Sequence, residues 1–214
     1  LLRSRSNNAI VHAMKNATAT PSIEAIRHSL AHLLAMAVLK KFPKAKLGIG
    51  PVIEHGFYYD FLLNAITEAD LPELEKIMRE YAAQNLDFAG ENVTSQKARR
   101  IFKDQPFKLD LIKDFTKERE NLTIFHTYLP RESASRPRIS AFTDLCRGGH
   151  ISNTAEIPAD GFMLHKVAGA YWKGDEKNPQ LVRIYGLAFA SKKELASHLA
   201  LLEDAKKRDH KKLG

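Results

Sequence analysis

The stretch FMLHKVAGAYWKGDEKNPQLVRIYGLAF (162–189) decides the fold class. Two runs rich in β-branched and aromatic residues, Phe162–Trp172 and Leu181–Phe189, flank Gly174-Asp175-Glu176-Lys177-Asn178, where turn-forming residues concentrate. Strands joined by so short a segment pair antiparallel, and a hairpin alone buries too little to stand in water. The sheet therefore needs helices to cover it, and the flanking sequence supplies them.

Upstream, Ile23, Ile26, Leu30, Leu33, Leu34, Ala37 and Val38 recur at helical spacing over 23–41, with Ser22 as N-cap and Phe42-Pro43 as the stop. Lys46 to Leu63 mixes Gly, Pro and aromatics and reads as two short strands about a turn at His55-Gly56. Thr67 and Asp70 form a capping box before Leu71, Leu74, Ile77, Met78 and Tyr81, which predicts a second helix. A short third helix is expected from Thr94-Ser95 to about Phe102. Past Lys108 the pattern shortens and predicts strands, interrupted by a polar, Pro-containing insertion at 130–140. Ser191-Lys192-Lys193-Glu194 is a capping box for a last helix, which leads into the basic run at 206–212. The expected class is α+β: a largely antiparallel sheet flanked by helices, with a helical C-terminal end.

At 214 residues, with 44% hydrophobic and 27% charged residues, the composition is that of a globular chain rather than a disordered or fibrous one. The longest apolar run, Leu33 to Leu39, is far short of the roughly 20 residues that span a bilayer. Cys146 is the lone cysteine, so no internal disulfide forms, which suits a reducing compartment. The cytoplasm is expected, with an organellar matrix as the alternative. A formal charge of +8 suits a polyanionic partner. Residues 1–21 carry Arg3, Arg5 and Lys15 and no acid, and are expected to be a linker or the remnant of a preceding domain; a transit peptide is the other reading.

Two pairs carry the chemistry. His28 and His32, four apart on the first predicted helix, share one face. Cys146-Arg147-Gly148-Gly149-His150 repeats the spacing in a loop, where the glycines permit positive φ and expose backbone N–H groups. Asp144 lies two residues before the cysteine, to orient a ligand or cap the turn. Three imidazoles and a thiol are a sufficient set for tetrahedral zinc, and equally for a metal-free general base with oxyanion donors; spacing does not separate the two. No phosphate-binding glycine motif, nucleophile elbow or H-E-x-x-H is present.

The segments Arg27-His28-Ser29-Leu30-Ala31-His32, Ile49-Gly50-Pro51-Val52-Ile53, Gly56-Phe57-Tyr58-Tyr59-Asp60, Asp144 to His150, Ala168 to Asp175, Arg183-Ile184-Tyr185-Gly186 and Lys207-Arg208-Asp209-His210 resemble, in order, the editing domain of bacterial-type threonyl-tRNA synthetase. The resemblance covers about 22–214. The alanyl-tRNA synthetase editing module shares the two H/C pairs, but GFYYD and GAYWKGD favour the threonyl branch. Gly149 stands where the family commonly has Pro, and the insertion Arg131 to Ser140 is unusual and expected to reshape the pocket rim.

The resemblance implies a domain spanning 22–205, a basic segment 206–214 leading toward a class II catalytic domain, and hydrolysis of the seryl ester on threonine tRNA. His28, Lys108, Cys146 and His150 are its implied catalytic set, Lys108 falling where the family carries a pocket lysine. His32, Asp144, Tyr58, Tyr59 and Gly148 are the implied substrate-binding residues, with core packing expected for at least one tyrosine. The implied partner is the 3′ acceptor end of a tRNA, without membrane involvement. No cofactor is expected; the alternative zinc set is His28, His32, Cys146 and His150. The competing functions are a non-catalytic RNA-binding relative in a ribonucleoprotein and a zinc-dependent deacylase of the alanyl type.

Overall fold

The computed structural model describes residues 20–131, 133 and 135–212, so the expectation for residues 1–19 lies outside the described residues. Helix α1 (Ile23–Lys41) opens on Ser22, whose Oγ accepts the Ala25 N–H at 3.1 Å, and it is buried on nearly every side from Ile26 to Val38. That near-total burial matches its apolar run Leu33–Leu39, while Arg27, Ser29 and His32 are buried as polar groups. Strand β1 (Lys46–Leu47) and the hairpin of β2 (Val52–Ile53) and β3 (Gly56–Leu62) follow; the turn is Glu54-His55, and Gly56 already belongs to the strand. Gly56 is obligatory there, since a Cβ would sit 1.9 Å from the Gly186 carbonyl oxygen.

The Thr67–Asp70 box forms, the Thr67 N–H donating to the Asp70 carboxylate at 2.9 Å, but a single 3-10 turn intervenes before α2 (Leu71–Ala82). Then come β4 (Asp87–Val93), α3 (Ser95–Ile101), α4 (Pro106–Lys117), β5 (Leu122–Tyr128) and β6 (Ser140–Leu145). The chain ends in β7 (Phe162–Tyr171), β8 (Gln180–Ala188) and α5 (Lys192–Lys212).

Two antiparallel sheets result, one in the order β1-β3-β8-β7 with β2 beside β3, the other β4-β5-β6. The hairpin that decided the class is present in register, Phe162 opposite Ala188 and Tyr171 opposite Gln180, with a bulge at Leu164/Lys166. Helix α5 runs without a break across the expected boundary at 205/206. Helix α1 packs between the sheets: Phe57, Tyr59 and Phe61 lie on one side, Phe88, Phe142 and Ile151 on the other, all in one core.

One expectation is corrected. The sequence after Lys108 is helical through Lys117, not strand. Phe107-Lys108-Leu109-Asp110-Leu111 alternates with period two and mimics a strand, but Pro106 at the first helical turn and the buried pair Lys108 and Ile112, one turn apart, define α4. Strand β4 was not expected at all, because Gly90, Glu91 and Asn92 are poor strand formers and break the alternation. The insertion at 131–140 is the β5–β6 hairpin loop. It joins β6 at the end opposite Cys146, and Arg138 in it contacts Asp87 at 2.9 Å and the Tyr128 ring.

Candidate active site

Helix α1 and the loop after β6 meet edge to edge. His28 and His32 project from one face of α1, with ring centroids 5.3 Å apart in a T-shaped pair. His150 comes from the loop and stacks on His28 at 4.0 Å and against His32 at 4.2 Å. Its Nε2 lies 3.2 Å from Cys146 Sγ. One ligand-type atom from each of His28, His32, Cys146 and His150 falls within 4.8 Å of the others. Residues over a hundred positions apart therefore share one small volume. Phe88, stacked flat on His150 at 5.0 Å, and Phe125 and Phe142 wall it.

The loop takes its shape from two glycines, Gly148 at φ 93° and Gly149 at φ 85°. Side chains rarely adopt that region. At Gly148 a Cβ would also press within 2.9 Å of the Phe125 ring, whereas at Gly149 it would make ordinary contact with His28 Nδ1 at 4.0 Å. A proline at 149 is incompatible with this φ, since its ring fixes φ near about −65°.

Beneath the cluster lies a buried polar knot centred on Asp144. Its Oδ1 takes Lys108 Nζ at 2.6 Å and the Leu145 N–H at 2.8 Å; its Oδ2 accepts the Tyr59 hydroxyl at 2.6 Å. His32 Nε2 is 3.7 Å from Oδ2, and His32 Nδ1 is buried without a hydrogen-bond partner among the described residues. Lys108 is 1% exposed, a buried lysine rather than a solvated one.

Burial sets the protonation of the cluster. It lowers His28, which a hydrogen bond with the Gly148 backbone partly offsets. It holds His32 and His150 far below the ordinary imidazole value, and the neighbouring imidazoles push the same way. The Cys146 thiol is pushed up to about 12 by burial and by Asp144. At neutral pH the pocket thus presents neutral imidazoles and a protonated thiol.

The two tyrosines separate. Tyr59 is fully buried, its ring against Phe61 and its hydroxyl on Asp144, so it braces the knot and has no face free for adenine. Tyr58 lies on the other side of β3, 3.8 Å from the Arg183 guanidinium to its ring centroid, and so outside the cluster. Ser29 is a site residue that motif reading did not single out: its Oγ is 3.1 Å from His150 Nδ1. Only its place between the two histidines could have signalled it.

The four-residue set fits zinc in donor chemistry, and the unpartnered His32 Nδ1 is consistent with that. In this arrangement His150 uses both ring nitrogens in hydrogen bonds, one to Ser29 Oγ and one to Cys146 Sγ, itself a member of the same set.

The sequence was compared with known proteins. Residues 138–185 match the threonyl and alanyl tRNA synthetase second additional domain. The chain is 48% identical over 193 residues to a threonine–tRNA ligase of Dehalococcoides mccartyi, covering 90% of this chain and 30% of that one. Threonine–tRNA ligases of Thermotoga neapolitana and Borreliella burgdorferi are each 46% identical, over 195 and 189 residues, covering 89% and 88% of this chain. The chain spans about 30% of the length of these curated relatives. By sequence, residues 138–185 belong to the threonyl and alanyl tRNA synthetase second additional domain family, and the chain is homologous to threonine–tRNA ligases along about 90% of its length.

Proposed function

We propose that this domain removes serine from mischarged threonine tRNA, as the editing part of a synthetase that pairs it with a class II catalytic domain, or as a freestanding deacylase. The observation that carries the reading is the convergence of His28, His32, Cys146 and His150 over the buried Lys108–Asp144 pair, in a domain of this family. Serine lacks one methyl of threonine, a difference worth about 1–3 kcal/mol in a synthetic site, which is too little for accurate charging without a second step.

The reaction adds a water oxygen to the ester carbonyl and breaks the acyl–oxygen bond, freeing serine and the tRNA ribose hydroxyl. His28 is the group to orient and deprotonate the water: it is half-buried at the mouth of the cluster, neutral at pH 7, and braced by the Gly148 backbone. Lys108, held by Asp144, supplies a fixed ammonium for the water or the substrate hydroxyl. The N–H groups of the Gly148-Gly149 loop suit a developing oxyanion. The water mechanism proposed here uses no metal. Zinc, if bound, would be held by His28, His32, Cys146 and His150 and would supply a Lewis acid and an acidified water.

The test is release of serine from Ser-tRNA bearing the threonine anticodon, with Thr-tRNA as control and metal analysis of the purified protein. Selective serine release by metal-free protein is expected. Equal release of both amino acids, or none, overturns the substrate assignment; stoichiometric zinc with chelator-sensitive activity overturns the metal-free mechanism.

A further inference from the structure

Ser29 is fully buried on α1, between the two histidines that define the site. Its Oγ accepts the Ile151 N–H at 3.2 Å and lies 3.1 Å from His150 Nδ1. A serine hydroxyl has one proton to give and two lone pairs to accept with. Among the described residues, the one acceptor within reach of the Ser29 proton is His150 Nδ1. A buried hydroxyl that donates to nothing costs about 1–3 kcal/mol, so the Ser29 proton goes there. In a neutral imidazole that accepts at Nδ1, the ring proton sits on Nε2. The chain of donation then has one direction: Ile151 N–H to Ser29 Oγ, Ser29 O–H to His150 Nδ1, His150 Nε2–H to Cys146 Sγ at 3.2 Å.

The consequence falls on Cys146. Its sulfur faces His150 Nε2 at 3.2 Å and accepts that ring proton. We propose that Ser29 is a positioning residue that fixes His150 as the Nε2–H tautomer, so that His150 turns a hydrogen-bond donor to the Cys146 sulfur beside His28 and His32. The kinetic effect of Ser29 rests on the deacylase reading; the tautomer does not.

The experiment is a long-range proton–nitrogen correlation spectrum of the protein labelled with nitrogen-15 at histidine, with the His150 signals assigned from His150→Gln. In the wild type, His150 is expected protonated at Nε2 and bare at Nδ1. In Ser29→Ala the preference is lost and the His150 nitrogen signals move; in Ser29→Thr, which keeps the hydroxyl, they stay. In the deacylation assay, Ser29→Ala is expected to lower kcat about tenfold with KM little changed, the size typical of an outer-shell orienting partner, and Ser29→Thr to recover it. A wild-type His150 protonated at Nδ1, or wild-type ring signals in a folded Ser29→Ala protein, overturns the proposal. If wild-type protein releases no serine from Ser-tRNA, the deacylase reading falls while the spectrum still decides the role of Ser29.

Discussion

Lys108 Nζ and Asp144 Oδ1 lie 2.6 Å apart in the interior, with side chains 1% and 3% exposed, one from helix α4 and the other from strand β6. Two opposite charges out of water are tolerable only as a pair with their remaining bonds satisfied, as the Tyr59 hydroxyl and the Leu145 N–H satisfy Asp144 here. The pair ties the second helical layer to the strand that delivers Cys146. It also places an ammonium next to the imidazole cluster without exposing it to solvent.

Removing one partner leaves an uncompensated buried charge. Lys108→Met is expected to lose about 3–5 kcal/mol of unfolding free energy. The double variant Lys108→Met/Asp144→Asn should lose clearly less than the sum of its singles. Urea unfolding of the four proteins checks this, and additive losses would show that the two side chains do not act as a pair.

His28 faces the cluster but is not fixed in a buried ion pair, so its removal separates chemistry from folding. His28→Ala is expected to slow serine release by about 10²–10⁴-fold, the usual contribution of a general acid–base group, with the melting temperature nearly unchanged. Full activity in a stable His28→Ala protein would take His28 out of the mechanism. Because burial lowers its pKa, the acid limb of the rate profile should have its midpoint below 6.5, with a plateau at neutral pH.

Stability should follow the same groups. His32 and His150 resist protonation when folded but titrate normally, near 6.5, when unfolded. Above that value both states are neutral and stability is full. Below it the unfolded chain takes up protons that the folded chain refuses, so stability falls as the pH drops, by up to about 1.4 kcal/mol per pH unit for each group. Unfolding curves from pH 7.5 to 5 test the sign, and His32→Gln should flatten the slope. A wild type that gains stability on acidification would contradict the burial of these rings as neutral species.

A thiol pushed up to about 12 is almost entirely S–H at pH 8. Iodoacetamide should therefore modify Cys146 in the folded protein at least about 100-fold more slowly than a free peptide cysteine, since the thiolate is the reacting form. Urea should restore the ordinary rate. Rapid alkylation of folded protein at pH 8 would mean that the thiol is ionised or open to solvent.

Local rules carried much of the fold and part of the site. Helix α1 and the β7–β8 hairpin follow from the period of their apolar residues and from Ser22 and the Gly174–Asn178 turn. Helix α4 does not, because Phe107 to Leu111 alternates like a strand while Lys108 is buried in place of an apolar residue. A sequence window registers a buried lysine as polar, and only its carboxylate partner from another element explains it.

The sequence by itself determined that His28 and His32 share a helix face and that Gly148-Gly149 turns the loop between Cys146 and His150, since both depend on backbone spacing and on the φ range a side chain allows. The tertiary structure alone decided that the two pairs meet, that Tyr59 and Lys108 both bond Asp144, that Ser29 reaches His150, and that the imidazoles are neutral and the thiol protonated. The physical reason is desolvation. Hydrogen-bond partners and burial penalties arise between groups distant in the chain, when α1 packs against Phe88 and Phe142 of the three-stranded sheet and Ile151 of the loop that follows it, and water leaves the space between them.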